Sequence, residues 1–205
     1  MSDSTKTSKA DTASGRDWKL HARHTRYQGF YQLDSVEFSH ALHGGGTSRV
    51  QQRELFVRGN VVGVLPYDPV RDQVVLVQQF RIGAMYQKPN PWMTEIIAGM
   101  IDTDETPEQV AIREAQEEAG IMLEKVELVS HYLSSPGASN EEVFVYYAET
   151  DLGDTGGMHG LVEEDEDILV KVVSAETAIA MLDNREVRNA LSIIALQWLK
   201  LKRCS

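Results

Sequence analysis

The sequence predicts an α/β (α+β) domain in which helices sandwich a curved, mixed sheet, preceded by an N-terminal region of antiparallel strands. Three observations lead to this fold class. Short apolar or alternating runs typical of strands recur through most of the chain, one strongly capped helix interrupts them, and two helical segments end the chain. The 205 residues suffice for one domain with a well-packed core.

The chain divides into three predicted parts. Residues 1–15 are mostly Ser, Thr, Lys, Asp and Gly, which bury too little apolar surface to fold, so we expect a flexible tail. Residues 16–60 form an N-terminal strand region, and residues 61–205 form the main domain. Its predicted elements are strands at 61–65, 74–77, 126–130, 143–148 and 168–173, and helices at 106–120 and 186–202. Residues 153–166, Gly-rich and then acidic, are expected to be a loop.

The composition narrows the class of protein. Hydrophobic residues make up 42% and charged residues 25%, close to the average of soluble globular proteins. A net charge of -11 argues against a general nucleic-acid binder, which usually carries a basic face. The lone Cys204 excludes an intrachain disulfide and suits a reducing cytoplasm. Because no apolar run resembles a membrane span or a secretory signal, we expect a cytoplasmic protein without membrane contact.

The segment 106–120 has strong signals for the start and end of a helix. Thr106 can cap the first turn, Pro107 suits the first helical position, and Gln109 can complete a capping box. Gly120 suits the left-handed conformation that ends many helices.

Three glutamates of this helix are placed unfavourably for stability. Glu114, Glu117 and Glu118 are three and four residues apart, so they share one side of the helix and repel each other. Glu117 and Glu118 also lie in the last turn, where the helix dipole disfavours anions. A solvated acidic face is the ordinary interpretation of such residues. The alternative is a divalent-cation site, for which oxygen ligands without Cys or His favour Mg²⁺, with Mn²⁺ as a substitute.

The same stretch resembles the Nudix box, G-x5-E-x7-R-E-U-x-E-E-x-G-U, in which U is an apolar residue. The matching fixed positions are Gly99, Glu105, Arg113, Glu114, Glu117, Glu118 and Gly120. The resemblance implies a strand–loop–helix that holds Mg²⁺ on Glu114, Glu117 and Glu118, with the Ala98 carbonyl as a further ligand. It also implies that Glu105 and Arg113 form an ion pair that fixes the loop, with Gly99 and Gly120 in supporting roles.

A proline outside the box narrows the resemblance. Pro136 follows Gly120 by sixteen residues, as in the ADP-sugar pyrophosphatase subgroup, where a proline at this place marks ADP-ribose enzymes. Other segments look like bacterial ADP-ribose pyrophosphatases, among them residues 27–30, 68–72, 79–81, 91–92, 160–161 and 193–199. The resemblance therefore implies hydrolysis of ADP-ribose to AMP and ribose 5-phosphate.

The subgroup also implies a homodimer with exchanged N-terminal strands and a shared adenine pocket. By position, Phe30 would stack on the base, and Arg53, Arg81 and Glu141 would make polar contacts to the nucleotide and ribose. Pro136 is the further expected substrate-binding residue. The ordinary alternatives are a core position for Phe30 and surface charges for Arg53 and Arg81.

The resemblance implies that a glutamate in the loop 160–167 is the general base. Comparison by position from Pro136 onward indicates Glu164. Glu163 and Glu166 are close alternatives, and Glu166 could instead be a metal ligand. A solvated acidic loop is the interpretation without a catalytic role.

Two other functions remain open at this stage. The substrate could be another ADP-sugar or GDP-mannose. The chain could also be a non-catalytic nucleotide-sugar sensor, although such sensors usually lose box carboxylates and gain a DNA-binding domain, and this sequence keeps every carboxylate.

Overall fold

The computed structural model describes residues 17–86, 91–102, 104–160 and 166–204. The predicted tail, residues 1–15, lies outside them. The described chain forms two compact units. The first contains residues up to Arg58 together with Ser134–Glu141, and the second contains Gly59–Leu133 together with the residues from Glu142 onward.

The first unit is a three-stranded antiparallel sheet. Its strands are β1 (Trp18–Gln28), β2 (Gln32–His40) and β3 (Gln51–Val57), in the order β1-β2-β3. The segment Ser134–Glu141 attaches to the end of β3, where the Phe56 N–H donates to the Ala138 carbonyl at 2.7 Å. The antiparallel strand region expected before residue 61 is therefore present.

The second unit is built on an eight-stranded mixed sheet. Its strands are β4 (Asn60–Asp68), β5 (Gln73–Phe80), β6 (Trp92–Glu95), β7 (Ile97–Ile101), β8 (Glu127–Leu133), β9 (Glu142–Glu149), β10 (Gly157–His159) and β11 (Ile168–Ser174). The main order is β10-β11-β5-β4-β9-β8, with β6 paired to β5 and β7 paired to β4. The β4–β9 pair is parallel and the other named pairs are antiparallel.

Helices cover both faces of this sheet. The helices are α1 (Pro107–Ala119), α2 (Ala175–Asp183) and α3 (Ala190–Lys202), with a short 3-10 helix at Ile82–Ala84. Because strand side chains alternate between faces, one core cluster joins α1 to Val62, Val64 and their neighbours, and a second joins α2 and α3 to the opposite face. This arrangement confirms the predicted fold class. No helix in the described stretches is long and apolar enough to cross a bilayer.

Two predictions about secondary structure are wrong. The segment 153–166 is not entirely loop, because Gly157–His159 forms β10 and pairs antiparallel with β11. So short a strand is stabilised by pairing with the edge of β11, and the local sequence does not show that this edge is available. The last helix starts at Ala190 rather than at residue 186, because the Asn189 side chain accepts the Ser192 N–H and caps the helix there.

Asp68 fixes the turn after β4. It is 1% exposed, and its carboxylate accepts the backbone N–H groups of Val70, Arg71 and Leu152. The pKa of Asp68 is lowered to about 2, first because of the hydrogen bond from the Arg71 backbone, against the opposing effect of burial.

We expect Asp68→Asn to lower the melting temperature at pH 7 because the amide cannot accept as many hydrogen bonds. The folded pKa lies below the unfolded value of about 3.9, so the stabilisation is present above that pH and is lost as pH falls towards 2. Thermal melts of wild type and variant from pH 7 to pH 2 should therefore converge at the acid end. A difference that stays constant with pH would contradict this role for the ionised carboxylate.

Candidate active site

The strand β7 and the helix α1 approach each other closely at Gly99. A Cβ added to Gly99 would lie 2.0 Å from the carboxyl carbon of Glu114, so any larger residue would force the Glu114 carboxylate away from the strand. The predicted capping box holds the other end of the loop, with Thr106 accepting the Gln109 N–H. Gly120 ends α1 in the left-handed conformation, at a φ of 66°.

Two of the box glutamates pack against β7, where Glu118 is buried and the side chain of Glu114 is 13% exposed. Glu118 is 3% exposed, and its Oε2 accepts the Ala98 N–H at 3.2 Å. Burial raises the pKa of Glu118 to about 8, with the charges of Glu114 and Glu166 adding to the rise, while the Ala98 hydrogen bond and Arg81 oppose it. Burial likewise raises the pKa of Glu114 to about 7, opposed by Arg113. Both carboxylates therefore lie where negative charge is poorly compensated.

Glu166 belongs to the same group. Its charge contributes to the raised pKa of both Glu114 and Glu118, although it follows the box by nearly fifty residues. Glu114, Glu118 and Glu166 therefore repel one another electrostatically.

Arg113 is the main positive partner of the box. Its Nε donates to Glu105 at 3.1 Å, which is the expected ion pair, and its Nη1 donates to Glu117 at 2.6 Å. The same Nη1 lies 3.0 Å from Glu114. Glu117 therefore faces Arg113 rather than Glu118, because residues four apart meet on a helix and the guanidinium is the nearest counter-charge.

The described residues contain no ready group of three His, Cys, Asp or Glu side chains arranged around a common ion. The expected set of Glu114, Glu117 and Glu118 is therefore not brought together as a finished metal site. The donors nonetheless fit a hard divalent cation. They are carboxylate oxygens, two of them are desolvated, and their mutual repulsion would be relieved by positive charge.

The residues expected to bind the nucleotide and ribose fall in both units. In the first unit, the Phe30 ring is 82% exposed and meets Tyr31 edge-on at 4.8 Å, so it is a surface ring and not core. The exposed Arg53 donates to the carbonyl of Gln52. Pro136 lies in the exposed turn of the 134–141 segment.

Glu141, also in the first unit, is 9% exposed and lies 3.0 Å from Arg58. Arg81 lies in the second unit, where its Nε donates to Glu95 at 2.8 Å.

A family model for the NUDIX domain matches residues 57–194. The chain belongs to the Nudix family. This Nudix chain is 44% identical over 190 residues to the ADP-ribose pyrophosphatase of Escherichia coli strain K12. The alignment spans 93% of this chain and 91% of the relative. It is 42% identical over 194 residues to the ADP-ribose pyrophosphatase of Haemophilus influenzae, and the alignment spans 92% of this chain and 88% of the relative.

More distant relatives include the GDP-mannose pyrophosphatase of Enterobacter sp. strain 638. It is 31% identical over 173 residues, which span 84% of this Nudix chain and 89% of the relative. A crystal structure of an ADP compounds hydrolase superposes with a TM-score of 0.66 at 17% identity, covering 89% of this chain and 92% of the other. That likeness shows a shared fold.

Sequence reasoning missed two partners of the Nudix site residues. Glu95 is 2% exposed and holds Arg81, and its other oxygen accepts the Asn189 amide at 2.8 Å. Arg58 holds Glu141. Arg81 and Glu95 are 14 residues apart and lie on different elements, and Arg58 and Glu141 are much farther apart in the chain, so the spacing within one helix or strand could not have indicated either pair. The expected base Glu164 and its alternative Glu163 lie outside the described residues.

Proposed function

We propose that this Nudix protein is an ADP-ribose pyrophosphatase, which hydrolyses ADP-ribose to AMP and ribose 5-phosphate with Mg²⁺ as cofactor. The observation that carries the proposal is the placement of Glu114 against Gly99 and of the buried Glu118 against Ala98, at the end of a strand–loop–helix and with the pKa of both carboxyl groups raised. The names and coverage of the bacterial relatives at 42–44% identity support ADP-ribose as the substrate.

The cation would be held by carboxylates of α1 and their neighbours. Glu114, Glu117 and Glu118 are the proposed ligands, with the Ala98 carbonyl and Glu166 as further ones, and Mn²⁺ could replace Mg²⁺. When bound, the cation neutralises pyrophosphate charge and helps to activate water. The ion pair between Arg113 and Glu105 fixes the loop that precedes α1 to the helix.

The chain's own residues would bind and orient the substrate. Phe30 presents an exposed ring on which adenine can stack. Arg53 and Glu141 provide polar contacts to the nucleotide and ribose, and Pro136 is a further substrate-binding residue. Arg81, fixed by Glu95, presents a guanidinium suited to a phosphate oxygen.

Hydrolysis also needs a group that accepts the proton of the attacking water. We propose Glu164 for this step. The buried box carboxylates are better suited to holding the cation than to acting as a free base. The neighbouring Glu166 interacts electrostatically with Glu114 and Glu118, which supports a catalytic role for the acidic segment that contains Glu164.

We further propose a cytoplasmic homodimer in which the N-terminal strands are exchanged. The β1–β3 sheet supports this because it leaves large apolar side chains exposed, including Trp18 at 53%, Tyr27 at 64% and Phe30 at 82%.

The substrate is tested with purified protein, Mg²⁺ and a panel of ADP-ribose, another ADP-sugar and GDP-mannose, with products separated by chromatography. We expect ADP-ribose to give the highest kcat/KM and to yield AMP and ribose 5-phosphate. The relatives named GDP-mannose pyrophosphatases make that sugar the main competitor.

Glu118→Gln tests the proposed cation site. It should lower turnover by about 100-fold or more, because a cation ligand contributes several kcal/mol to the transition state. Its melting temperature in EDTA should equal or exceed that of wild type, because the amide avoids the cost of burying a carboxyl group whose pKa is raised and its oxygen can still accept the Ala98 N–H. Full activity of wild type in EDTA, or preference for GDP-mannose, would contradict the proposal.

Glu164→Gln tests the base. The amide keeps the size of the side chain but cannot accept the proton, so kcat should fall by about 10²–10⁴ with little change in KM. Glu163→Gln and Glu166→Gln are the controls. If Glu166→Gln loses kcat and Glu164→Gln keeps it, the assignment to Glu164 is wrong. If all three stay active, the base lies outside this segment.

Light scattering tests the dimer. The mass should be roughly twice the 22.9 kDa of the chain. Removing residues 1–15 should leave the dimer intact, whereas removing residues 1–41 deletes β1 and β2 and should weaken both assembly and substrate affinity. A fully active monomer at assay concentration would contradict the shared pocket.

A further inference from the structure

Gln79 has a buried amide nitrogen with no acceptor. The residue is 8% exposed, and among buried side-chain atoms of the described residues only its Nε2 and the Nε of Arg58 lack a hydrogen bond. Arg58 still has an ion-pair partner, since its Nε lies 3.0 Å from Glu141. An unpaired buried amide opposes folding, so its retention in a native protein calls for a reason.

The strand places Gln79 on the face that carries α1. Val75 and Val77 belong to the core cluster that includes the apolar residues of α1. The register of β5 with β6 and β11 has no irregularity, so Gln79 follows them on the same face. The neighbouring Gln78 points to the opposite face, where its Oε1 accepts from Lys171 at 3.1 Å.

Beyond Gln79 the same row of side chains becomes charged. Arg81 has an extended backbone, with φ at -122° and ψ at 113°, so it continues the row on the face of Gln79. Its guanidinium is close enough to oppose the raised pKa of Glu118. Gln79 therefore lies at the border between the apolar core and the groups of the candidate active site.

We propose that Gln79 is a substrate-binding residue whose amide N–H donates to a pyrophosphate oxygen of the nucleotide sugar, beside Arg81. The inference rests on the proposed function. A neutral donor suits this place because a further positive charge on this face would compete with a cation for the carboxylates. The amide can bind an anionic oxygen and leave the carboxylates free.

Gln79→Met tests the inference, because methionine keeps the length of the side chain and removes the donor. We expect the melting temperature to stay the same or rise, since an unpaired buried amide is gone. We expect kcat/KM for ADP-ribose to fall roughly 10- to 100-fold, the effect of losing one hydrogen bond to a charged group. The matched control is Gln78→Met, which should lose stability with its Lys171 contact and keep kcat/KM.

The combination of unchanged or higher stability with lower kcat/KM distinguishes binding from a structural role. If Gln79→Met melts lower and loses activity in proportion, or keeps wild-type kcat/KM, the inference is wrong. Gln79→Leu gives the same comparison if the methionine variant does not fold. Wild-type protein inactive on ADP-ribose would overturn the proposed function and this inference together, whereas an active wild type with an equally active variant overturns only the inference.

Discussion

The close approach of α1 to β7 is the contact on which the candidate site depends. It places the carboxylate of Glu114 against Gly99, where any side chain would collide with it, and it lets Glu118 accept the Ala98 N–H. Small core residues of the helix, Ala111 and Ala115, permit this short distance. The result is a pair of desolvated acids whose pKa values are raised, an arrangement that costs folding stability and that a cation would relieve.

The positive groups around the site offset only part of this charge. Arg113 is shared among three acids and holds the loop to the helix. Arg81 is held by the buried Glu95, which in turn binds Asn189. Gln79 contributes a donor without any charge. None of these contacts pairs Glu118 with a positive charge. Under the proposed function, the site would combine a cation ligand with neutral and cationic donors for an anionic substrate.

Much of this site was predictable because its signals are local. The capping box at Thr106, the left-handed Gly120 and the glutamate spacing all follow from helix geometry, and the structure has the helix at Pro107–Ala119. The pairing of Arg113 with Glu117 could also have been predicted from their spacing of four. Strand β10 could not be predicted, nor could the ion pair between Arg81 and Glu95, because each depends on partners that only the fold brings together. The sequence marked Gln79 as part of a motif, but only its burial reveals the unused donor.

The most direct test of the central claim is anomalous X-ray diffraction from crystals of the protein soaked in Mn²⁺. The account predicts a manganese peak in contact with the carboxylates of Glu114 and Glu118, near the Ala98 carbonyl, and loss of that peak in Glu118→Gln. Manganese bound only elsewhere, or a peak that persists unchanged in the variant, would contradict the claim that these buried acids form the cation site.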